Sequence, residues 1–255
     1  YTGPTVLDTL SLFKKEAARS EQPLRFPVQD VYKFDARRII AGRITAGKLK
    51  VGDHLVFSPS NKRANIRSVE AFNVDPPPTE GSAGQSIGIT LDEQIFVERG
   101  EIATHQEHLP SVSTAFRANL FWLGKRPLER GRKYQLRVAN KEVDCEVATI
   151  HRIIDTMDLA QQQGSTTVNK NQVAELTLRT KTPVAFDLSA SFEATGRFVL
   201  VDEYDIAGGG IITELIHDDQ EFLREEARRR DFAWVKGEVG VEDLASSELK
   251  SRRDN

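Results

Sequence analysis

RRIIAGRITAGKLKVGDHLVFSP, residues Arg37 to Pro59, alternates apolar and polar positions around a cluster of turn residues. Ile40 and Ile44 flank Gly42 and precede Gly47; Leu49 and Val51 follow, then Gly52-Asp53, then Leu55 and Phe57. A period of two marks half-buried strand, and Gly-Asp supplies the positive φ of a tight turn. The stretch predicts two antiparallel strands joined by a glycine-pinned reversal, with at least one of Gly42, Gly47 and Gly52 at positive φ.

Outward from this stretch the same texture continues. LRFPVQDVYKF precedes it; KRANIRSVEAF, a break at Pro76-Pro77-Pro78, SIGITL and IFVERGEIA follow. Short alternating runs punctuated by Gly, Pro, Asn and Asp predict a β-barrel or sandwich over residues 23–104. A hinge at His105–Pro110 leads to STAFRANLFWL, KYQLRVANKEVDCEVATIHRII, QVAELTLRTKTPVAFDL and RFVLVDEYDIAGGGII, with turns at Gly124, Arg130-Gly131, residues 161–164 and Gly196. These predict a second barrel over residues 105–213. The fold class is therefore all-β, two consecutive β-barrels with short helical segments at each end. At the N-terminal end, Gly3-Pro4 opens a helix over Thr5 to Phe13 whose stripe is Val6, Leu7, Leu10 and Phe13, and the polar stretch to Pro23 is a connector. Residues 214–255 read as a helical and polar tail. Asp218 and Asp219 open a helix that Arg228 to Arg230 close, with Glu225–Arg229 and Glu226–Arg230 pairs, and past Gly237 only Val239, Val241 and Leu244 are apolar.

With 255 residues, 39% hydrophobic and 29% charged, the chain suits one or two globular domains. No apolar run approaches the roughly 20 residues of a membrane helix. The start at Tyr1-Thr2-Gly3-Pro4 has no basic leader, so the expectation is a cytoplasmic segment of a longer protein. A net charge of −3 disfavours a general polyanion binder.

Candidate chemistry is sparse. Cys145, the one cysteine, sits between Val143 and Val147 in an alternating run, which favours a buried strand residue over a nucleophile. His105 and His108 with Glu107 have ligand spacing but lack the third and fourth partners a zinc site takes, which favours a polar linker. Phe116, Leu120 and Trp122 read as barrel core rather than a ligand platform. Lys125, Arg126, Arg130, Arg132, Lys133 and Arg137 form a basic cluster opposed in sequence only by Glu129; without interleaved aromatics a solvated rim is favoured over nucleic-acid contact. Gly208-Gly209-Gly210 precedes Ile211-Ile212, a continuing strand rather than the helix a phosphate loop needs, which favours a bulge or close packing. No residue is assigned to catalysis, cofactor or metal.

Several motifs carry a resemblance. Gly42-Arg43-Ile44, Gly47, Leu49-Lys50, Gly52-Asp53 and Leu55 fall at the offsets of the second-domain barrel of translation-factor GTPases; Ala83 to Gly88 resembles that family's A-G-x-x-V-G turn, and Arg99 to Ile102 its R-G-x-V element. Within that group PLRFPVQDVYKF, AFRANLFWL, QVAELTLRT with PVAF, and GRFVLVDEYDIAGGGII are most similar to the large GTP-binding subunit of bacterial sulfate adenylyltransferase, over about residues 1 to 213. RDFAWVKGEVGVED resembles the lead-in to an adenylylsulfate kinase, as in fused sulfurylase-kinase enzymes. The resemblance implies that residues 1–22 are the end of a GTPase domain, whose GTP and magnesium the chain does not hold: it has no G-x-x-x-x-G-K-[ST], no D-x-x-G switch and no N-K-x-D, since Asn61-Lys62-Arg63-Ala64 lacks the aspartate. It implies a small catalytic partner subunit that uses ATP and sulfate to make adenylyl sulfate and pyrophosphate, coupled to GTP hydrolysis. These barrels would dock and couple. The alternative is a pair of tRNA- or RNA-binding barrels of an elongation factor, supported only by the cluster at Arg126 to Arg137.

Overall fold

Alternation becomes strand throughout the computed structural model, which describes residues 3–13, 19–34, 37–72, 74–156, 161–162 and 164–216. A short helix, α1 (Val6–Ser11), opens it, with Thr5 as N-cap in a capping box with Asp8. Every residue of α1 is solvent-exposed, so no other described residue covers the predicted stripe of Val6, Leu7, Leu10 and Phe13. The first barrel uses β1 (Phe26–Phe34), β2 (Arg37–Arg43), β3 (Lys48–Lys50), β4 (His54–Ser58), β5 (Lys62–Glu70), β6 (Glu80–Ser82), β7 (Ser86–Leu91) and β8 (Ile102–His105). Six of them close in the order β1-β2-β7-β5-β4-β8, while β3 and β6 pair as a small ribbon. Closure pairs each of those six strands on both sides.

The expected hairpin inside Arg37–Pro59 is corrected by this topology. β2 pairs with β1 and β7, β3 with β6, and β4 with β5 and β8, so the stretch supplies three strands that each find their partner elsewhere. Local turn chemistry was right and pairing was not, because a barrel satisfies each strand on two sides. Gly47 and Gly52 do sit at φ 76° and 90°. Gly42 is needed for another reason, since a Cβ there would lie 2.4 Å from the Pro27 carbonyl oxygen.

The second barrel follows a 3-10 turn at Gln106–His108. It comprises β9 (Ser111–Trp122), β10 (Leu128–Glu129), β11 (Lys133–Val138), β12 (Lys141–Asp155), β13 (Gln161–Gln162), β14 (Thr167–Val168), β15 (Gln172–Phe186), β16 (Arg197–Asp202) and β17 (Asp205–Ile216). The sheet β11-β16-β17-β9-β15-β12 closes through β11–β12, with β13 attached to β12 and β10 paired to β14. Bulges between Val147 and Thr149, Ile150 and Arg152, and Arg179 and Val184 bend the long strands around it.

Each barrel has its own core. The first buries Leu24, Phe26, Ile44, Leu55, Phe57 and Ile89. The second is built on Phe116, Trp122, Phe186, Phe198 and Leu200, with Phe116 5.1 Å from Phe186 and 5.9 Å from Phe198 between ring centroids. Each such side chain contributes about 1.5 to 3 kcal/mol when withdrawn from water. Phe116, Leu120 and Trp122 are thus core, as their alternation implied. No helix among the described residues is long and apolar enough to cross a membrane. The helix expected from Asp218 to Arg230 and the segment Arg230 to Asp243 lie outside the described residues.

Candidate functional site

Among the described residues the most deeply buried ion pair lies where the two barrels meet. Arg25 stands between Leu24 and Phe26, just before β1, and is 3% exposed. Its backbone is fixed by bonds to Ala46 and Thr45, which aims the side chain out of the first barrel. Nε donates to Asp187 Oδ2 at 2.8 Å and Nη2 to Oδ1 at 2.9 Å, a two-pronged pair with a carboxylate that follows β15 of the second barrel. Nη1 donates to the carbonyl oxygens of Leu24 and His108, both at 2.9 Å, so the connector is held as well. Thr195 donates to Asp187 Oδ2 at 2.5 Å, and the guanidinium lies 4.1 Å from the centroid of the Phe192 ring. A planar fork matched to a carboxylate, every prong used, is the arrangement in which a buried ion pair repays its desolvation.

A second contact repeats the joint further along. Gly100, at φ 88°, comes so close to the β11–β12 turn that a Cβ would lie 2.6 Å from Lys141 Cα. Asn140 Nδ2 donates to the Pro27 carbonyl at 3.3 Å, Arg99 Nε to the Asn140 carbonyl at 3.4 Å, and Lys141 pairs with Glu98 at 3.7 Å. Beside it, Glu101 is 3% exposed and its Oε2 has no hydrogen-bond partner among the described residues. Burial raises its pKa, offset in part by Ser60 and by the nearby Lys62 ammonium and reinforced by the Glu98 charge. Arg99, Gly100 and Glu101 stood out in the sequence only as part of the R-G-x-V element, and neither they nor Arg25 and Asp187 were expected at a contact between barrels. The available signal was a charge inside an apolar run, Arg25 in LRF and Asp187 in VAFDL.

The residues singled out from sequence behave differently. Cys145 is 3% exposed, and burial, with Asp144 and Glu146 beside it, pushes its thiol up to about 12, so it stays protonated and inert. His105 Nε2 pairs with Asp53 Oδ2 at 3.1 Å while His108 contributes its carbonyl to Arg25, so the two histidines do not converge. No group of three metal-ligating side chains occurs among the described residues. Gly208-Gly209-Gly210 lies within β17, opposite a register shift between Leu200 and Val201, and offers no helix N-terminus to a phosphate. Among the described residues this geometry offers no phosphate loop for GTP.

Three cations of the basic cluster are matched by acids from a distant segment and a fourth by a nearby one. Lys125 pairs with Asp205 at 2.9 Å, Arg126 with Glu203, and Arg132 with Asp202 at 2.6 Å, while Arg137 faces Glu142 at 3.4 Å. A cavity of about 430 Å³ on the first barrel is also balanced, with Arg37, Arg38 and Arg67 against Glu70, Asp92 and Glu93. Inside it Ser68 donates to Glu70 Oε1 at 2.7 Å and lies 2.6 Å from Thr90 Oγ1.

Comparison with known proteins places this architecture. Residues 115–213 match the family described as GTP-eEF1A C-terminal domain-like. The chain is 32% identical over 207 residues to "Sulfate adenylyltransferase subunit 1" of Shewanella oneidensis, covering 79% of this chain and 42% of that protein. It is 30% identical over 215 residues to "Bifunctional enzyme NodQ" of Rhizobium sp. (strain N33), covering 83% of this chain and 33% of that protein. The chain thus spans less than half the length of these relatives. Among solved structures, sup35 complexed with GDP superposes with a TM-score of 0.72 at 20% identity, over 85% of this chain and 53% of that one, which establishes the shared two-barrel fold.

Proposed function

This chain is a homologue of sulfate adenylyltransferase subunit 1 across 79% of its length, and from that premise we propose that its two barrels are the non-catalytic docking and coupling body of such a subunit. In the whole assembly a GTPase portion preceding Tyr1 hydrolyses GTP, a separate small subunit forms adenylyl sulfate and pyrophosphate from ATP and sulfate, and the barrels pass displacement from one to the other. A kinase portion after the barrels, which the segment Arg230 to Asp243 suggests, belongs to the same reading. The observation that carries it is the Arg25–Asp187 joint, buried on both sides at 2.8 and 2.9 Å. Two barrels on a loose tether would absorb a displacement; two barrels held by a buried fork move together.

The test is Arg25→Lys in the complete assembly. Lysine keeps the charge and loses the two-pronged geometry. We expect GTP hydrolysis to continue while adenylyl sulfate formed per GTP falls. An unchanged ratio, in a variant whose spin-labelled barrels show a broadened separation, would end the coupling role. The elongation-factor reading is weakened because four of the six cations that suggested it, Lys125, Arg126, Arg132 and Arg137, face acids.

A further inference from the structure

A depression of about 430 Å³ beside the start of β16 is walled by more hydrogen-bond donors than acceptors. Arg19, Gln22, Ser189, Ser191 and Arg197 line it with a single carboxylate, Glu193. The backbone holds these groups in place. The Arg19 carbonyl accepts from the Gln22 and Gly47 N–H groups at 3.3 and 2.9 Å. The Ser189 N–H donates to the Ile212 carbonyl at 2.9 Å, and the turn that follows closes with the Ser191 and Phe192 N–H groups on the Leu188 carbonyl. A Cβ at Gly196 would lie 2.6 Å from the Ser189 N and Cα, so glycine lets β16 begin directly against this turn, with Arg197 next in the chain. On the far side of the turn the Phe192 ring lies 4.1 Å from the Arg25 guanidinium, which anchors it to the joint between the barrels.

Charge in the depression is out of balance. Glu193 stands between the two arginines, Oε2 accepting from Arg19 Nη2 at 2.9 Å and Oε1 paired with Arg197 Nη2. One carboxylate therefore serves two guanidinium groups and engages one nitrogen of each, which leaves an excess of one positive charge and a set of unused N–H donors. The hydroxyls of Ser189 and Ser191 and the side-chain amide of Gln22 make no hydrogen bond with any described residue. At the tip of the second barrel, by contrast, Lys125 and Arg126 each have an acid within reach. Planar carboxylate satisfies donors that lie in one plane; donors converging from two arginines and two hydroxyls on separate segments suit an acceptor with oxygens in four directions.

We propose that this depression is a binding site for a tetrahedral oxyanion, phosphate or sulfate, held between the guanidinium groups of Arg19 and Arg197 and capped by the hydroxyls of Ser189 and Ser191. Glu193 is the site's own competitor. It orders the two arginines when the anion is absent and repels the anion when it arrives, so affinity is modest and falls as salt rises. The side chains of Arg19, Glu193 and Arg197 are 37%, 41% and 62% exposed, which lets an anion enter without opening the fold. The site stands independently of the coupling role proposed above.

Equilibrium dialysis of this chain against labelled inorganic phosphate and, in a separate arm, labelled inorganic sulfate tests it, with ionic strength held constant by chloride. Saturable binding is expected in at least one arm, and the tighter arm names the anion. Arg197→Gln and Arg19→Gln should each weaken it roughly tenfold, the loss of a charge-assisted hydrogen bond. Glu193→Gln should tighten it several-fold, because the competing charge is gone while the side chain keeps its shape. That gain separates a ligand site from a structural ion-pair cluster, in which Glu193 would only hold the arginines. Should Arg19→Gln fail to fold, Ser189→Ala with Ser191→Ala decides, since those hydroxyls bond to no described residue; a several-fold loss of affinity is expected. No saturable binding in either arm overturns the proposal. So does binding that these substitutions leave unchanged, which would place the anion elsewhere, and so does weaker binding in Glu193→Gln.

Discussion

Arginine and carboxylate meet both at the joint between the barrels and at the tip of the second one, with opposite consequences. Arg25 and Asp187 are 4% and 8% exposed at their side chains; Arg126 and Glu203 are 55% and 62% exposed. The buried pair has surrendered its water and is committed to one geometry, with Thr195, Leu24 and His108 taking up the remaining valences. The exposed pair trades one solvated partner for another. Burial, not the number of ion pairs, decides where the fold is vulnerable.

The largest expected effect follows at the joint. Asp187→Ala leaves a guanidinium buried without its carboxylate and should cost about 3 to 5 kcal/mol in a denaturant melt. Removing both charges with similar volume, Arg25→Met with Asp187→Leu, should recover most of that loss, because the penalty lies in the orphaned charge. A double variant as unstable as the single one would mean that the geometry of the fork, rather than desolvation, holds the barrels.

That contrast also explains what could be read in advance. Strand periodicity, the glycines at 47 and 52, and the core residues Phe116, Leu120 and Trp122 were legible because each is a local signal, set by φ or by alternation. Pairing was not, since β2, β3 and β4 find partners that local turns do not name. Nor was the joint: Arg25 and Asp187 are separated by 162 positions, and nothing local marks either as the other's partner. The acids that match the basic cluster were equally hidden, 70 to 80 positions away. Cys145 is buried, as its alternation predicted, and the ligand-like spacing of His105 and His108 does not bring the two side chains to common partners.

A buried carboxylate lacking such a partner sharpens the comparison. Glu101 is nearly as buried as Asp187, but its Oε2 accepts no hydrogen bond. Its pKa is raised by burial, so as pH climbs through the ordinary glutamate range the unfolded chain loses its proton first and the fold is penalised. Glu101→Gln should therefore be neutral in acid, gain stability across the window from the ordinary value to the raised one, and hold that gain above it. Melts of the two proteins from acid to neutral pH would show this; a gain already present in acid would place the effect in packing rather than ionisation.

The smallest effect on stability is expected at the tip. Lys125→Ala and Arg126→Ala should leave the melting temperature within error, since both side chains stand in water and salt screens what attraction they have. The hydrogen bonds from Lys125 to Asp205 and from Arg126 to Glu203 raise the pKa of each cation, so all stay charged at neutral pH and the acids serve chiefly to mask them. Masking, unlike stability, is measurable by its removal. Glu203→Gln with Asp205→Asn leaves Lys125 and Arg126 facing outward with fewer counter-charges, and such a patch attracts polyanions with a steep dependence on salt. The parent chain should pass a heparin column at low salt, and the double variant should be retained and elute as salt rises. Retention of the parent itself would show that the distant acids do not cancel the cluster, and would return nucleic-acid contact to the second barrel.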